Sequence, residues 1–405
     1  MCSRAFGNYC SNIARWSVWN CSGIALFDRS KSRDAIPIFL GQTLPDLNPV
    51  FIRGVGVGPG HPCVVIAEAG VNHNGSVEIA HRLVDAALGC GADVVKFQAF
   101  KTDALVTPAS RKAAYQVANT GKGGSQEEML RSLELSQEDH VSLMEHCEDV
   151  GILYLCTPYD NASADMLERM NVAAFKIAST DATNVAFLRY LGEKARPLIF
   201  STGMMSAEEL DVAMAAIGET PARDETILLH CTSAYPSPPH QSNLCVMSTM
   251  AERYDLPVGF SDHTPGIEIS VLAVAAGASM IEKHLTLDKA APGPDHKASL
   301  DPSEFKVMID DIRRCEAALG DGVKRITAAE MENKNVLQKG IYAIRPIHEG
   351  AVITAEDVAC KRPVAGLSAI EYDRVVGSRA STDIAAGSPI TDQLIHRVNR
   401  AGGHP

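Results

Sequence analysis

Eight short, β-rich runs in this chain end in side chains that can bind, donate or ligate. In order the endings are Glu68, Lys96 with Gln98, Thr157, Lys176 with Ser179, Ser201, His230 with Thr232 and Ser233, Ser261 with Asp262 and His263, and Glu282 with His284. Lys96 and Lys176 stand inside apolar, β-branched stretches, where a charge is costly without a partner. One reading neutralises them with Glu68 or Asp181. The other makes them a cationic clamp on a phosphate or carboxylate, with Thr157, Ser179, Ser201 and Ser261 adding hydroxyl donors. Two cations ringed by hydroxyls suit a small phosphorylated acid. No Walker loop is present to hold a nucleotide.

His263 and His284 end consecutive runs, which brings two imidazoles together. Such a pair suits a first-row divalent ion with several open positions, such as Mn²⁺, with Mg²⁺ or Co²⁺ as alternatives. Two hydrogen-bonding structural histidines are the plainer account. His230, inside ILLHCT, reads as structural. Glu68, Asp181, Asp262, Glu282 and Asp295 are the acids available for proton transfer, and spacing does not choose among them. Residues 72–75 (NHNG) after the first run would form a polar rim with a turn, suited to a hydroxyl-rich ligand.

The runs that carry these residues are 63–68, 93–98, 152–157, 174–179, 197–202, 227–232, 257–262 and 279–284, each followed by a helix-length amphipathic segment. Eight β-runs alternating with helices over roughly 250 residues predict a (β/α)8 TIM barrel, whose active site lies at the C-terminal ends of the strands. Ser206 with Glu209 and Thr327 with Glu330 have capping-box spacing at helix starts. Residues 99–150 are too many for one helix and predict an excursion over the barrel mouth near 120–124.

The barrel is expected over 61–327, a linker over 328–339 and a small domain over 340–400. In that domain Ile347, Gly350 and Ile353 are echoed by Ile384, Gly387 and Ile390, an internal duplication. Residues 1–60 read as an extension, either disordered or from a start codon called too far upstream. Its first 27 residues lack any acid and carry two arginines, which a transit peptide would also explain. Gly54–Gly60 reads as a turn before the first strand.

Composition narrows the class. Of 405 residues, 46% are hydrophobic and 37 cationic side chains face 49 anionic ones, for a net charge of −12. That balance disfavours nucleic acid or an anionic membrane as partner. No run reaches the ~18 uninterrupted apolar residues of a membrane span. Eleven cysteines, an odd number without a CxxC pair, fit a reducing cytoplasm better than a disulfide framework.

In this order, IAEAGVNHNG (66–75), ADVVKFQ (92–98), CTPYD (156–160), AFKIAS (174–179), STGM (201–204), LLHCTSAYP (228–236), GFSDHT (259–264), IEKHLTLD (281–288), GPDHKASLDP (293–302) and KRP (361–363) resemble the sialic acid synthases. The resemblance implies a barrel followed by an antifreeze-like (SAF) domain, in a domain-swapped homodimer. It implies condensation of phosphoenolpyruvate with N-acetylmannosamine to give N-acetylneuraminate and phosphate. Lys96, Lys176, Thr157, Ser179, Ser201 and Ser261 would then hold phosphoenolpyruvate, and His263 and His284 a divalent metal. Glu68, Gln98, Asn72, Tyr235 and Asp295 would address the sugar, and Arg362 would reach it from the other subunit. Catalytic acids and bases are expected among Glu68, Asp181 and Asp295, with Ser233 in the substrate-binding set. This chain departs from many bacterial members at Asp181 and Ser233, where those carry Glu and Asn. A sister synthase using 2,4-diacetamido-2,4,6-trideoxymannose to make N,N'-diacetyllegionaminate is the nearest rival. A metal-dependent aldolase would leave the lysine–hydroxyl ring idle, and a carbohydrate-binding protein should offer a flatter, less charged surface.

Overall fold

The structure is a computed structural model that describes residues 47–121 and 123–396. The acid-poor stretch 1–27 therefore lies outside the described residues. The chain divides after Ala318 into two compact units.

The first unit opens with a hairpin, β1 (Val50–Ile52) and β2 (Val55–Val57), turned by Arg53 and Gly54 at φ +46° and +85°. Two adjacent residues at positive φ are what a tight two-residue turn between twisted strands requires. Eight parallel strands follow: β3 (Val64–Gly70), β4 (Val94–Ala99), β5 (Leu153–Pro158), β6 (Phe175–Ile177), β7 (Leu198–Ser201), β8 (Thr226–Cys231), β9 (Val258–Asp262) and β10 (Met280–His284). Their order is β5-β4-β3-β10-β9-β8-β7-β6, so the first barrel strand pairs with the last. β6 packs against β5 and brings the two edges together into a TIM barrel.

Every strand is buried on both faces, and a period of two sorts its side chains. Val65, Ala67, Val95, Phe97, Phe175, Phe200, Phe260 and Ile281 pack outward in a large core under the helices. Val64, Ile66, Val94, Leu155, Ala174, Ile199 and Met280 fill the barrel interior. The polar endings share the interior parity: Glu68 follows Ile66 by two, Lys96 follows Val94, Thr157 follows Leu155, Lys176 follows Ala174, Ser201 follows Ile199 and Glu282 follows Met280. They form the next interior layer toward the strands' C-terminal ends.

One sequence expectation needs correction. Residues 47–60 were assigned to the extension, but Val50, Ile52 and Val57 are buried in the same cluster as the barrel interior. The hairpin completes that apolar core. The linker stretch 328–339 carries the helix Ala328–Leu337, capped by Thr327 and Glu330 as their spacing predicts. Ser206 and Glu209 also make their capping box.

In the second unit, β11 (Gly340–Ala343) pairs antiparallel with β12 (Val358–Lys361), and β13 (Arg379–Ala380) with β14 (Ile395–His396). The duplicated pieces face each other: Ile347 bridges Ile384, and Ile353 and Ile390 join both in one core. Among the described residues no helix is long and apolar enough to cross a membrane.

Candidate active site

A cavity of about 630 Å³ opens over the polar layer at the C-terminal ends of the strands. At its base lies a cluster of two lysines and two glutamates. Lys96 Nζ stands 2.8 Å from Glu68 Oε2 and 3.4 Å from Glu282 Oε2, and donates to Thr157 Oγ1 at 3.3 Å. Lys176 Nζ stands 3.4 Å from Glu282 Oε1 and donates to Ser201 Oγ at 2.7 Å. Ser261 Oγ donates to Glu282 Oε1 at 2.9 Å, and Gln98 Nε2 to Glu68 Oε1 at 2.9 Å. Register explains the assembly, since Glu68 pairs laterally with Lys96 on one side and His284 on the other, and Glu282 with Ser261.

All four charged groups are buried, and their charges cancel within the cluster. Burial alone would raise the Glu282 carboxyl, but the Lys176 and Lys96 ammoniums override it and hold it at about 2. Burial lowers Lys176. For Lys96 the same burial is outweighed by Glu282 and Glu68, and its ammonium is favoured. Glu68 is raised by burial against the opposing pull of Lys96. Of the two lysine readings, Glu68 does neutralise Lys96, but it shares that role with Glu282, and Asp181 takes no part. An incoming anion would exchange with these carboxylates on lysines that are already charged and aimed into the barrel.

Gly70 makes room for the Glu68–Gln98 contact. It sits at φ +52°, and a Cβ there would stand 3.1 Å from Glu68 Oε1 and 3.2 Å from Gln98 Nε2. Gly203 does the same beside Ser179, whose Oγ accepts from its N–H at 3.1 Å. A Cβ would meet Ser233 Oγ at 2.2 Å and Ser179 Oγ at 2.7 Å.

The imidazoles of His263 and His284 lie 5.5 Å apart, centroid to centroid. His263 Nδ1 donates to the Thr232 carbonyl at 3.1 Å, and although burial opposes it, the neighbouring Cys231 Sγ at 3.7 Å raises the ring above the usual histidine range. His284 Nδ1 is buried without a protein partner, and burial holds that ring well below the usual histidine range, hence neutral. Two imidazoles, one of them neutral with an orphaned nitrogen, fit a divalent ion. Among the described residues no group of three or more His, Cys, Asp or Glu is gathered for a metal, so other ligands would have to come from substrate or water.

Asp295 borders the cavity, and burial with the nearby Glu68 charge pushes its carboxyl up to about 7, a value suited to moving a proton near neutrality. Asp181 also borders it; burial raises that carboxyl, and one of its oxygens has no partner. Tyr235 stacks on Tyr115 at 4.8 Å and lies 4.3 Å from His263. Ser179, Ser233, Ser201 and Ser261 complete the polar wall.

Two expected residues, Thr157 and Asn72, stand outside the cavity lining. Thr157 is buried beneath Lys96 and serves the cavity through it. Asn72 spends its amide on the Leu285 carbonyl at 2.8 Å and Ser299 Oγ at 2.9 Å, tying the end of β3 to the loop after β10 rather than bordering the cavity. Arg362 is exposed in the second unit, directly after β12. His230 is structural as read, with Nε2 2.7 Å from the Ser242 carbonyl.

Sequence reasoning left Glu282 among five acids available for proton transfer and did not pair it with the two lysines. Its parity with Lys96 and Lys176 was the available signal. It gave no role to Tyr115 or to the apolar residues of the 102–133 excursion, which face the cavity from outside the strand pattern.

Comparison with known proteins agrees with this architecture. The NeuB family model matches residues 83–324, and the SAF domain model residues 338–395. An N,N'-diacetyllegionaminic acid synthase of Legionella pneumophila is 44% identical over 331 residues, covering 81% of this chain and 93% of its own. Human N-acetylneuraminate-9-phosphate synthase is 34% identical over 350 residues, covering 84% and 95%. The crystal structure of a sialic acid synthetase from Leptospira borgpetersenii, in complex with citrate, superposes with a TM-score of 0.62 at 31% identity, covering 71% of this chain and 95% of that one. With a family match running through most of the barrel and relatives aligned along nearly their whole length, this chain belongs to the NeuB family.

Proposed function

We propose that this protein is a nonulosonate synthase, condensing phosphoenolpyruvate with an N-acylated mannosamine-type sugar and water to give a sialic-type acid and phosphate. The observation that carries the reading is the buried Lys96–Lys176 pair, ringed by Thr157, Ser201 and Ser261, with two imidazoles in the same cavity. The two lysines hold the carboxylate and phosphate of phosphoenolpyruvate, with Ser179 adding a hydroxyl. A divalent ion on His263 and His284, Mn²⁺ above all, would supply Lewis-acid polarisation of the sugar aldehyde.

Carbon 3 of phosphoenolpyruvate bonds to the aldehyde carbon, water adds at carbon 2, and the C–O bond to phosphate breaks. Asp295 is poised to donate or accept the proton, and Glu68 with Gln98 orients sugar hydroxyls. Asp181 stands at the cavity rim as a second proton-transfer candidate. The second unit, carrying Arg362, would cover the partner's barrel in a domain-swapped homodimer. The eight described cysteines are all free, which suits a cytoplasmic reaction.

N-acetylmannosamine is the acceptor implied by the sequence motifs. The diacetamido-trideoxy sugar is supported by the names of the legionaminic acid synthases at 44% and 40% identity. The test is phosphate release from phosphoenolpyruvate with Mn²⁺ and each sugar in parallel. Release that requires sugar supports the reading. Sugar binding without release would favour a carbohydrate-binding protein, and no release from folded, metal-loaded protein would refute the synthase.

A further inference from the structure

Strand parity gives the ends of β9 and β10 two faces. Ser261, His263, Glu282 and His284 face the cavity. Asp262 and Lys283, each two residues beyond the outward-packing Phe260 and Ile281, stand on the other face beneath the helix Glu268–Ala275. Their side chains are 0% and 1% exposed, and Lys283 Nζ lies 2.8 Å from Asp262 Oδ2. Neither borders the cavity, so Asp262 is a strand-end acid that the proposed chemistry does not reach.

Both oxygens of that buried carboxylate are used. Oδ1 accepts from the Thr264 N–H at 2.8 Å and the Thr264 hydroxyl at 2.7 Å. Oδ2 accepts from the Ser270 hydroxyl at 2.6 Å as well as from Lys283. Lys283 Nζ also donates to the Thr264 carbonyl at 2.6 Å. The last lateral pair of β9 and β10 is Asp262 with Lys283, so backbone pairing stops one residue short of both histidines. The side-chain network continues the connection. It ties residues 262 and 264, on either side of His263, to residue 283 immediately before His284.

Burying two charges is a poor way to fill a core, since apolar residues of similar volume are often as stabilising or more so. What the directional bonds supply is a fixed spacing. Groups that orient metal-binding side chains from behind are worth roughly 10- to 100-fold in metal affinity. Resting on the metal-dependent synthase reading above, we infer that Asp262 and Lys283 are positioning residues, a buried ionic brace that sets the separation of His263 and His284 for a divalent ion.

The experiment measures the Kd of the full chain for Mn²⁺ without substrates, from the electron paramagnetic resonance signal of free Mn²⁺, alongside guanidinium unfolding. Asp262→Asn keeps an acceptor for Thr264, and Lys283→Met removes the cation that would otherwise be orphaned. The double variant should bind Mn²⁺ about 10- to 100-fold more weakly than the parent. Ser270→Ala is the milder change, losing one donor to Asp262, and should raise the Kd about two- to tenfold. Ile52→Ala, destabilised in the apolar barrel interior, should keep the parental Kd. A double variant that is less stable yet binds Mn²⁺ like the parent would make the pair purely structural and overturn the inference. Should the double variant not fold, a parental Kd in Ser270→Ala would overturn it equally. A parent chain that binds no Mn²⁺ would refute the metal site itself, and the inference with it.

Discussion

Replacing Glu282 by Gln keeps the shape of the side chain and removes the one carboxylate that touches both buried lysines. At 3.4 Å from each Nζ and an effective dielectric of about 20, each attraction is worth roughly 5 kcal/mol before desolvation is counted. Lys96 retains Glu68 at 2.8 Å, whereas Lys176 retains only Ser201 Oγ and the Ile177 carbonyl. The damage therefore falls on Lys176, whose ammonium burial already disfavours. Removing one partner of a buried pair costs about 3–5 kcal/mol net, because the surviving charge is left in the interior. For a barrel of this size that corresponds to a fall in Tm on the order of 10 °C.

The assay is thermal and guanidinium unfolding of the unliganded protein, with Lys176→Met and the double variant completing a cycle. The double variant should recover at least half of the loss, since an apolar side chain in place of the orphaned charge is close to neutral. A Glu282→Gln variant within about 1 kcal/mol of the parent, or a double variant no better than the single, would refute the claim that Glu282 neutralises the lysine pair.

Three further outcomes follow from other parts of the molecule. His73 and His140 are buried and held down at about 4, chiefly by that burial. The unfolded chain takes up their protons below pH 6.5 while the folded chain does not, so stability should fall as pH drops from 6.5 toward 4, by roughly 3 kcal/mol per histidine once both have titrated. His140→Gln should flatten that slope in guanidinium midpoints, and an unchanged slope would remove His140 from the account. Ile52→Ala, in the hairpin that completes the barrel interior, should cost about 2–5 kcal/mol in unfolding experiments, against near-neutrality if residues 47–60 were a dispensable extension. Arg362→Ala should raise the sugar KM roughly tenfold and spare the KM for phosphoenolpyruvate; an unmoved sugar KM would argue against a contact across the proposed dimer.

The alternation of apolar runs with amphipathic helices was legible along the chain because a period of two and a period near 3.6 are local properties. The eight strands appear within one or two residues of their runs, and β6 ends at Ile177 before Ser179 turns away. Strand-end chemistry was legible for the same reason, since parity alone sends Lys96, Lys176 and Ser201 to the face that holds Val94, Ala174 and Ile199.

What no local pattern contained was which ends meet. Glu282 reaches Lys96 and Lys176 across more than a hundred residues of chain because ring closure seats β10 beside β3 and the barrel's narrow interior focuses alternate strands on one axis. Asn72 looked like a rim residue, yet the loop after β10 offers it a carbonyl and a hydroxyl that satisfy its buried amide first. The β1–β2 hairpin was missed because three-residue strands barely register as a pattern, and the apolar interior that gives Val50, Ile52 and Val57 their burial exists only once all eight strands are in place.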